Sequence, residues 1–282
     1  MTYRQKYFEL KKINNEYLNT TVIKTLLIDD GGFRDFTELV VHFDDELKNE
    51  EKINNNLERI MNGEPMQYVL GYAYFVNSNY YVTPDVLIPR QETEQLAVGA
   101  LVYIVKHFGK DPNITIADIG TGSGILAIYL KENLPTAKVI ATDVSEKAIE
   151  VAKKNAEYHK VNIEFRCGDM LSPIKEKLDV IISNPPYIGS PETVSKQTMK
   201  YEPHLALFAS PKTKYYEQMI ANLENMSEQA LLAFEIGEDM EEELTNLLEN
   251  DYPGIGYNFE KDMYGKTRFL YILKKKEFNN YA

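Results

Sequence analysis

The sequence predicts an α/β protein: a mostly parallel sheet covered by helices and closed by an antiparallel strand pair, preceded by a small helical N-terminal domain and a β-hairpin linker. From Gln91 onward helical and strand patterns alternate, the signature of a parallel sheet with crossover helices. A glycine-rich stretch, Gly120 to Gly124, directly follows the short apolar run Ile114 to Ile119. The region before Glu64, by contrast, carries helical spacing and no such loop.

Each element is argued from its own residues. Tyr7, Leu10, Ile13 and Tyr17 suggest a first helix, and Asp29-Asp30-Gly31-Gly32 reads as a turn between helices. Phe36, Leu39, Val40 and Phe43 fall on one helical face, as do Ile53, Leu57, Ile60 and Met61, a run that stops at Asn62-Gly63. Tyr72 to Val76 and Tyr80 to Val82 are mostly aromatic and β-branched, with Asn77-Ser78-Asn79 as the turn of a hairpin. The expected division is residues 1–70 helical, 71–90 the hairpin linker and 91–282 the large domain. In that domain Leu96 to Ile104 and Ile125 to Leu130 are helical. So is Ala148 to Tyr158. Val139 to Thr142, Leu178 to Ser183 and Leu231 to Ile236 are strands, and Tyr257 to Glu260 with Phe269 to Leu273 supply the terminal pair.

Composition narrows the function. With 282 residues, 44% hydrophobic and 26% charged, the chain is an ordinary folded type. Its net charge of −12, from 31 basic against 43 acidic residues, repels phosphate backbones and suits a basic protein partner. Stable nucleic-acid binding is therefore not expected. Cys167 is the single cysteine, so neither an intrachain disulfide nor a multi-cysteine metal site can form, and no metal is expected. Its expected role is a small packed side chain. His42, His107, His159 and His204 are scattered without ligand spacing. No apolar run is long enough to span a bilayer, and the N-terminus lacks a signal-peptide core, so the expected location is cytoplasmic, with no membrane partner.

The candidate cofactor site is Asp118-Ile119-Gly120-Thr121-Gly122-Ser123-Gly124, at the end of a strand. Glycines let the backbone turn sharply and approach a ligand, and ligands of open α/β sheets sit beyond the carboxyl ends of the strands. The second strand ends on Asp143, placed to accept from ribose hydroxyls or, alternatively, to cap the next helix. A dinucleotide fingerprint spaces its glycines G-x-G-x-x-G; here the spacing is G-x-G-x-G, with Asp118 two residues before the first glycine. That acid disfavours a pyrophosphate and suits the sulfonium and ammonium of S-adenosylmethionine. Asp169 is a candidate acceptor for an adenine amino group and Met170 a candidate to pack on the ring; a turn acid and a core methionine are the alternatives.

Asn184-Pro185-Pro186-Tyr187 follows the strand Val180 to Ser183. A target nitrogen whose lone pair is delocalised into a planar group must be oriented. The Asn184 side-chain oxygen and the Pro185 carbonyl are suited to accept its two N–H bonds, the paired prolines stiffen the loop, and Tyr187 is suited to stack on the planar group. No catalytic base is required, because attack makes the nitrogen cationic and it then loses its proton.

Together with Gly63 to Phe75 and Val86 to Glu94, these motifs make the chain resemble the HemK/PrmC family of protein-(glutamine-N5) methyltransferases, which act on the Gly-Gly-Gln loop of peptide chain release factors. The resemblance covers nearly the whole chain. It implies a Rossmann-like S-adenosylmethionine-dependent methyltransferase domain, cofactor contacts from Gly120 to Gly124, Asp143, Met170 and Asn184, and substrate contacts from Asn184, Pro185, Pro186 and Tyr187. It also suggests Arg90, Thr93 and Glu94 at the site entrance, an ion pair and a helix cap being the alternatives, and a loop at Tyr201-Glu202-Pro203 that closes over the substrate or is plain surface. Two departures are visible: the family usually has proline at Gln91, and some relatives an aromatic residue at Met170.

Asn-Pro-Pro-Tyr is shared with adenine-N6 methyltransferases of RNA or DNA, so that activity is the alternative. Those would be expected to carry a basic face. A binding protein on a degenerate fold would have lost one of the motifs, and a nicotinamide oxidoreductase would space its glycines otherwise.

Overall fold

In the computed structural model, which describes residues 1–275, the chain forms two compact units: residues 1–72 with 196–201, and residues 73–195 with those from 202 onward.

The first unit holds helices α1 (Tyr3–Leu10), α2 (Thr20–Gly31), α3 (Phe36–Val41), α4 (Glu50–Met61) and α5 (Met66–Leu70), with the short helix Lys196–Tyr201, α9 in chain order. Its first four helices begin on side-chain caps, Thr2, Asn19, Asp35 and Asn49, each accepting an otherwise orphan backbone N–H. Their apolar stripes meet in one cluster around Tyr3, Leu10, Ile23, Leu27, Leu39 and Ile53. The helix expected over Tyr7 to Tyr17 ends at Leu10, and a separate helix follows. Asp29 to Gly31 is the last turn of α2 instead of a free turn; the chain reverses at Gly32, whose φ of 66° is the left-handed cap that glycine favours. Helix α9 is tied to the same unit: Gln197 Nε2 donates to the Gly63 carbonyl at 3.0 Å and the Tyr201 hydroxyl to the Asn62 carbonyl at 3.2 Å.

The chain enters the second unit through the hairpin β1 (Tyr72–Phe75) and β2 (Ser78–Tyr81). Its turn is Val76-Asn77, at φ 38° and 65°, and not Asn77 to Asn79 as the composition suggested. A two-residue hairpin turn of this hand needs positive φ at both positions, which asparagine tolerates and valine ordinarily does not.

The main body alternates α6 (Gln91–Phe108), β3 (Thr115–Ile119), α7 (Ile125–Asn133), β4 (Lys138–Asp143), α8 (Glu146–Tyr158), β5 (Glu164–Cys167) and β6 (Val180–Ser183). After α9 come α10 (Lys214–Ala221), β7 (Leu231–Glu235), α11 (Glu241–Asp251), β8 (Gly256–Lys261) and β9 (Thr267–Leu273). Seven strands form one sheet in the order β5-β4-β3-β6-β7-β9-β8, with only β9 running against the rest. Alternate strand residues feed opposite faces. Ile116, Val180, Ile182, Leu231 and Tyr271 pack against α6 and α7; Ala117, Ile181, Leu232, Phe234 and Ile272 pack against α10 and α11. Because both faces are covered, these strands read as continuous apolar runs.

Chain order reverses at β3, which pairs with β4 on one side and β6 on the other. The carboxyl ends of the three strands therefore open at one crevice, the place where ligands bind in doubly wound sheets.

Candidate active site

A cavity of about 270 Å³ lies in the second unit at this crevice. Gly120, Thr121, Gly122 and Ser123 line it from the loop after β3, Asp143 from the end of β4, Asp169 and Met170 from beyond β5, and Asn184 with Pro186 from beyond β6. Of the predicted residues, Gly124, Pro185 and Tyr187 do not line it. Gly124, at φ 84°, is where α7 packs on α8: an added Cβ would lie 3.1 Å from that of Ala152. Pro185 is buried.

The glycine loop is held from several sides. Gly120 and Gly122 have φ of 70° and 54°, and an added Cβ at either would meet no atom within 4 Å, so the backbone bounds open space there. Gly122 N donates to Asp143 Oδ2 and Ser145 N to Asp143 Oδ1, both at 2.9 Å. Ser145, not Asp143, caps α8, through its own Oγ. The Asp143 carboxylate thus bridges two loops, and each oxygen keeps a lone pair for a ligand hydroxyl. Its burial pushes its pKa up, an effect partly offset by the backbone N–H groups of Ser145, Gly122 and Val144. Asn155, on α8 and 1% exposed, accepts from Tyr81 N at 2.7 Å and donates to Ser123 O at 2.8 Å, tying the hairpin to the loop.

Asp118 does not line the cavity. It is buried beneath the loop, where Oδ2 accepts from the Thr121 hydroxyl at 2.6 Å and from Ala127 N at 3.2 Å, while Oδ1 has no partner. Burial pushes its carboxyl up to about 7. Cys167, expected to be packed, is exposed: it ends an edge strand and its side chain finds no core. Asp169 is exposed at the rim, and Met170 takes a φ of 48°, with its carbonyl accepting from Thr142 Oγ1.

Sequence reasoning missed the apolar wall. Val86 and Ile88 supply one side, and Pro203, Leu205 and Ala206 another. Glu202, nearly buried, joins them: it accepts from Ile88 N at 3.2 Å and from Arg90 Nη2 at 2.5 Å. Arg90 is therefore in an ion pair. Thr93 lines the cavity and is buried. Its hydroxyl donates to Glu235 Oε2 at 2.7 Å and accepts from Asn184 Nδ2 at 3.0 Å. The Tyr187 hydroxyl donates to Glu235 Oε1 at 3.3 Å. The signal for Glu235 was an acid ending an otherwise apolar strand, Leu231 to Ile236.

Burial lifts the Glu235 carboxyl from 4.5 to about 7, with Glu92 adding to the rise and Thr93, Arg268 and Tyr187 opposing it. The folded state thus holds this proton more tightly than the unfolded chain. The stability it contributes is complete below about pH 4.5 and is lost as pH rises through about 7. Glu235→Gln removes the titration. From pH 4.5 to 7 the variant should gain on the native protein by at most about 1.4 kcal/mol per pH unit. Urea unfolding of both proteins at the two ends of that window measures it. A stability difference that stays constant across the window would refute the raised carboxyl.

Among the described residues no helix is long and apolar enough to cross a membrane, and no group of three or more His, Cys, Asp or Glu is arranged to hold a metal ion.

The sequence of residues 95–207 matches the family model "Methyltransferase small domain". A protein named release factor glutamine methyltransferase from Staphylococcus aureus is 38% identical over 83% of this chain and 85% of its own length. One of the same name from Enterococcus faecalis is 34% identical over 94% of this chain and 98% of its own. A methyltransferase from Pyrococcus furiosus superposes with a TM-score of 0.52 at 19% identity, covering 79% of this chain and 99% of that one, which speaks for the fold alone.

Proposed function

The chain belongs to the HemK/PrmC family of release factor glutamine methyltransferases, and we propose that its substrate is the glutamine of the Gly-Gly-Gln loop of a peptide chain release factor, methylated on its side-chain nitrogen, N5. The observation that carries this reading is Asn184, which lines one cavity with the glycine loop and Asp143 and has its amide nitrogen turned away to Thr93.

S-adenosylmethionine supplies an electrophilic methyl group. The residues present fit it: the positive-φ glycines bound open space, Asp143 keeps lone pairs for ribose hydroxyls, and the apolar wall suits an adenine ring. In this reading Gly120 to Ser123, Asp143, Asp169, Met170 and Asn184 hold the cofactor, while Gly124 lets α7 pack on α8. Asn184 Oδ1 and the Pro185 carbonyl accept the two N–H bonds of the glutamine amide, which aims its nitrogen along the only direction from which methyl transfer proceeds. Pro186 walls the slot, and Tyr187 covers the planar face of the amide. Orientation and exclusion of water supply the rate, and the proton leaves the nitrogen after attack.

The first unit is the candidate for recognising the release factor, and the cytoplasm the place where it would do so. Every residue lining the cavity belongs to the second unit. A chain starting at Glu64 is therefore expected to bind S-adenosylmethionine while losing activity on intact release factor. Calorimetry and a methylation assay read the two, and full activity of the truncation would reject the assignment.

The substrate itself is tested by incubating the protein with labelled S-adenosylmethionine, purified release factors and total RNA. Mass spectrometry of the release-factor digest should place one methyl group on the Gly-Gly-Gln glutamine. Label found only on nucleic acid would replace this reading with the adenine one.

A further inference from the structure

The mechanism above leaves two groups beside Asn184 without a role. Thr93, on α6, is 3% exposed, and Glu235, at the end of β7, is 2% exposed. They come from positions 142 residues apart and meet at 2.7 Å. A carboxylate is costly to bury, and burial without a function is uncommon.

The chemistry of the chain sets its direction. Above about pH 7 Glu235 is ionised and has no proton to give, so the Thr93 hydroxyl must spend its single proton on Oε2. Only lone pairs remain on Thr93 Oγ1. The Asn184 amide has one edge able to meet a lone pair, its amino edge, and Nδ2 lies 3.0 Å away. Its carbonyl edge is thereby turned the other way. The second Glu235 oxygen accepts a hydrogen bond from the Tyr187 hydroxyl in the same manner, fixing the hydroxyl end of that ring. Both arms of the Asn-Pro-Pro-Tyr motif thus end on one buried acid. Arg268 and Glu92 face it with opposite charges, and the Tyr216 hydroxyl donates to its main-chain carbonyl at 2.8 Å.

We propose that Glu235 is a positioning residue: acting through Thr93 it determines which edge of the Asn184 amide meets the methyl acceptor, and through the Tyr187 hydroxyl it anchors the aromatic arm of the same slot. The two edges of an amide have nearly the same shape, so packing alone does not choose between them. With Oδ1 presented, the site selects an N–H of the acceptor. With Nδ2 presented, it would select the acceptor's carbonyl oxygen and turn the wrong atom toward the methyl group. Above about pH 7 the buried charge removes that degeneracy. A glutamine at 235 has one accepting and one donating edge, so it serves only one of Thr93 and Tyr187.

This inference rests on the methyl-transfer reading, and its test separates the two. Thr93→Val, Thr93→Ser, Glu235→Gln and the double variant Thr93→Val/Glu235→Gln are compared with the native protein in full-length form. Turnover on a release factor, cofactor affinity by calorimetry and the Asn184 side-chain amide signal in a nitrogen-15 NMR spectrum are recorded, the signal being assigned by its loss in Asn184→Asp. Thr93→Val should lower kcat on the order of tenfold or more, with cofactor affinity little changed, and shift the Asn184 signal. Thr93→Ser should recover most of the turnover and the native signal position. The double variant should be no slower than its slower parent, because both substitutions cut one chain.

Native kcat in Thr93→Val, an unmoved Asn184 signal, or losses that multiply in the double variant would overturn the proposal. If Thr93→Val does not fold, Glu235→Gln decides by the same readouts. Failure of the native protein to methylate glutamine would sink the functional reading, while the amide signal still reports whether Thr93 and Glu235 orient Asn184.

Discussion

Asn184→Ala is expected to lower turnover on the order of a hundredfold, while cofactor affinity falls far less. The substitution removes the acceptor oxygen that orients the target nitrogen, and misplacement of a reacting atom by about 1 Å is enough for a loss of that size. It also strips Thr93 of its donor, yet Thr93 keeps Glu235, so the fold beneath the site should hold. Asn184→Asp is the sharper comparison. It restores an oxygen toward the substrate but puts a second oxygen against the lone pairs of Thr93 and a negative charge close to Glu235. It should therefore remain slow. Single-turnover rates with saturating S-adenosylmethionine, beside calorimetric affinities, read both variants. Equal losses in rate and affinity would leave Asn184 its contact with the cofactor and reject it as the group that orients the substrate.

Asp143→Ala should weaken S-adenosylmethionine binding by about ten- to a hundredfold, the equivalent of one charge-assisted hydrogen bond of roughly 1.5–3 kcal/mol. The geometry adds a second cause. Asp143 also receives Gly122 N and Ser145 N, so its removal frees the glycine loop that faces the ligand. Asp143→Asn keeps one accepting oxygen and should fall between the native protein and Asp143→Ala. Unchanged affinity in Asp143→Ala, measured by titration calorimetry, would remove this residue from the cofactor site.

Both substitutions sit at residues that residue order alone makes legible. The loop from Gly120 to Gly124 was legible because its cause is local: a strand ends, glycines turn, a helix starts, and all of it lies within a dozen residues. Asp143 and Asn184 were legible for the same reason, each being the polar residue at or just beyond the end of an apolar strand. Helix α2 was equally there to be read, since Val22, Ile23, Leu26 and Leu27 keep helical spacing up to the Gly31-Gly32 stop. The hairpin turn at Val76-Asn77 was not, because a valine at positive φ contradicts local preference and is imposed by the strands it joins.

Alternation of strand and helix, the glycine spacing and the Asn-Pro-Pro-Tyr motif are short-range patterns, and they were enough to define the class of fold, the cofactor and the reaction. Their information lies in residues a few positions apart, whose conformations are coupled by one strand or one turn of helix. The contacts that orient the site are of another kind. Thr93 to Asn184 spans 91 residues and Thr93 to Glu235 spans 142; Ile88 to Glu202 spans 114. Nothing local to any of these residues requires its partner. The two Thr93 pairs exist because parallel strands that are distant in the chain finish at one edge of a sheet, and a helix laid across that edge brings a hydroxyl within 2.7 Å of a buried carboxylate.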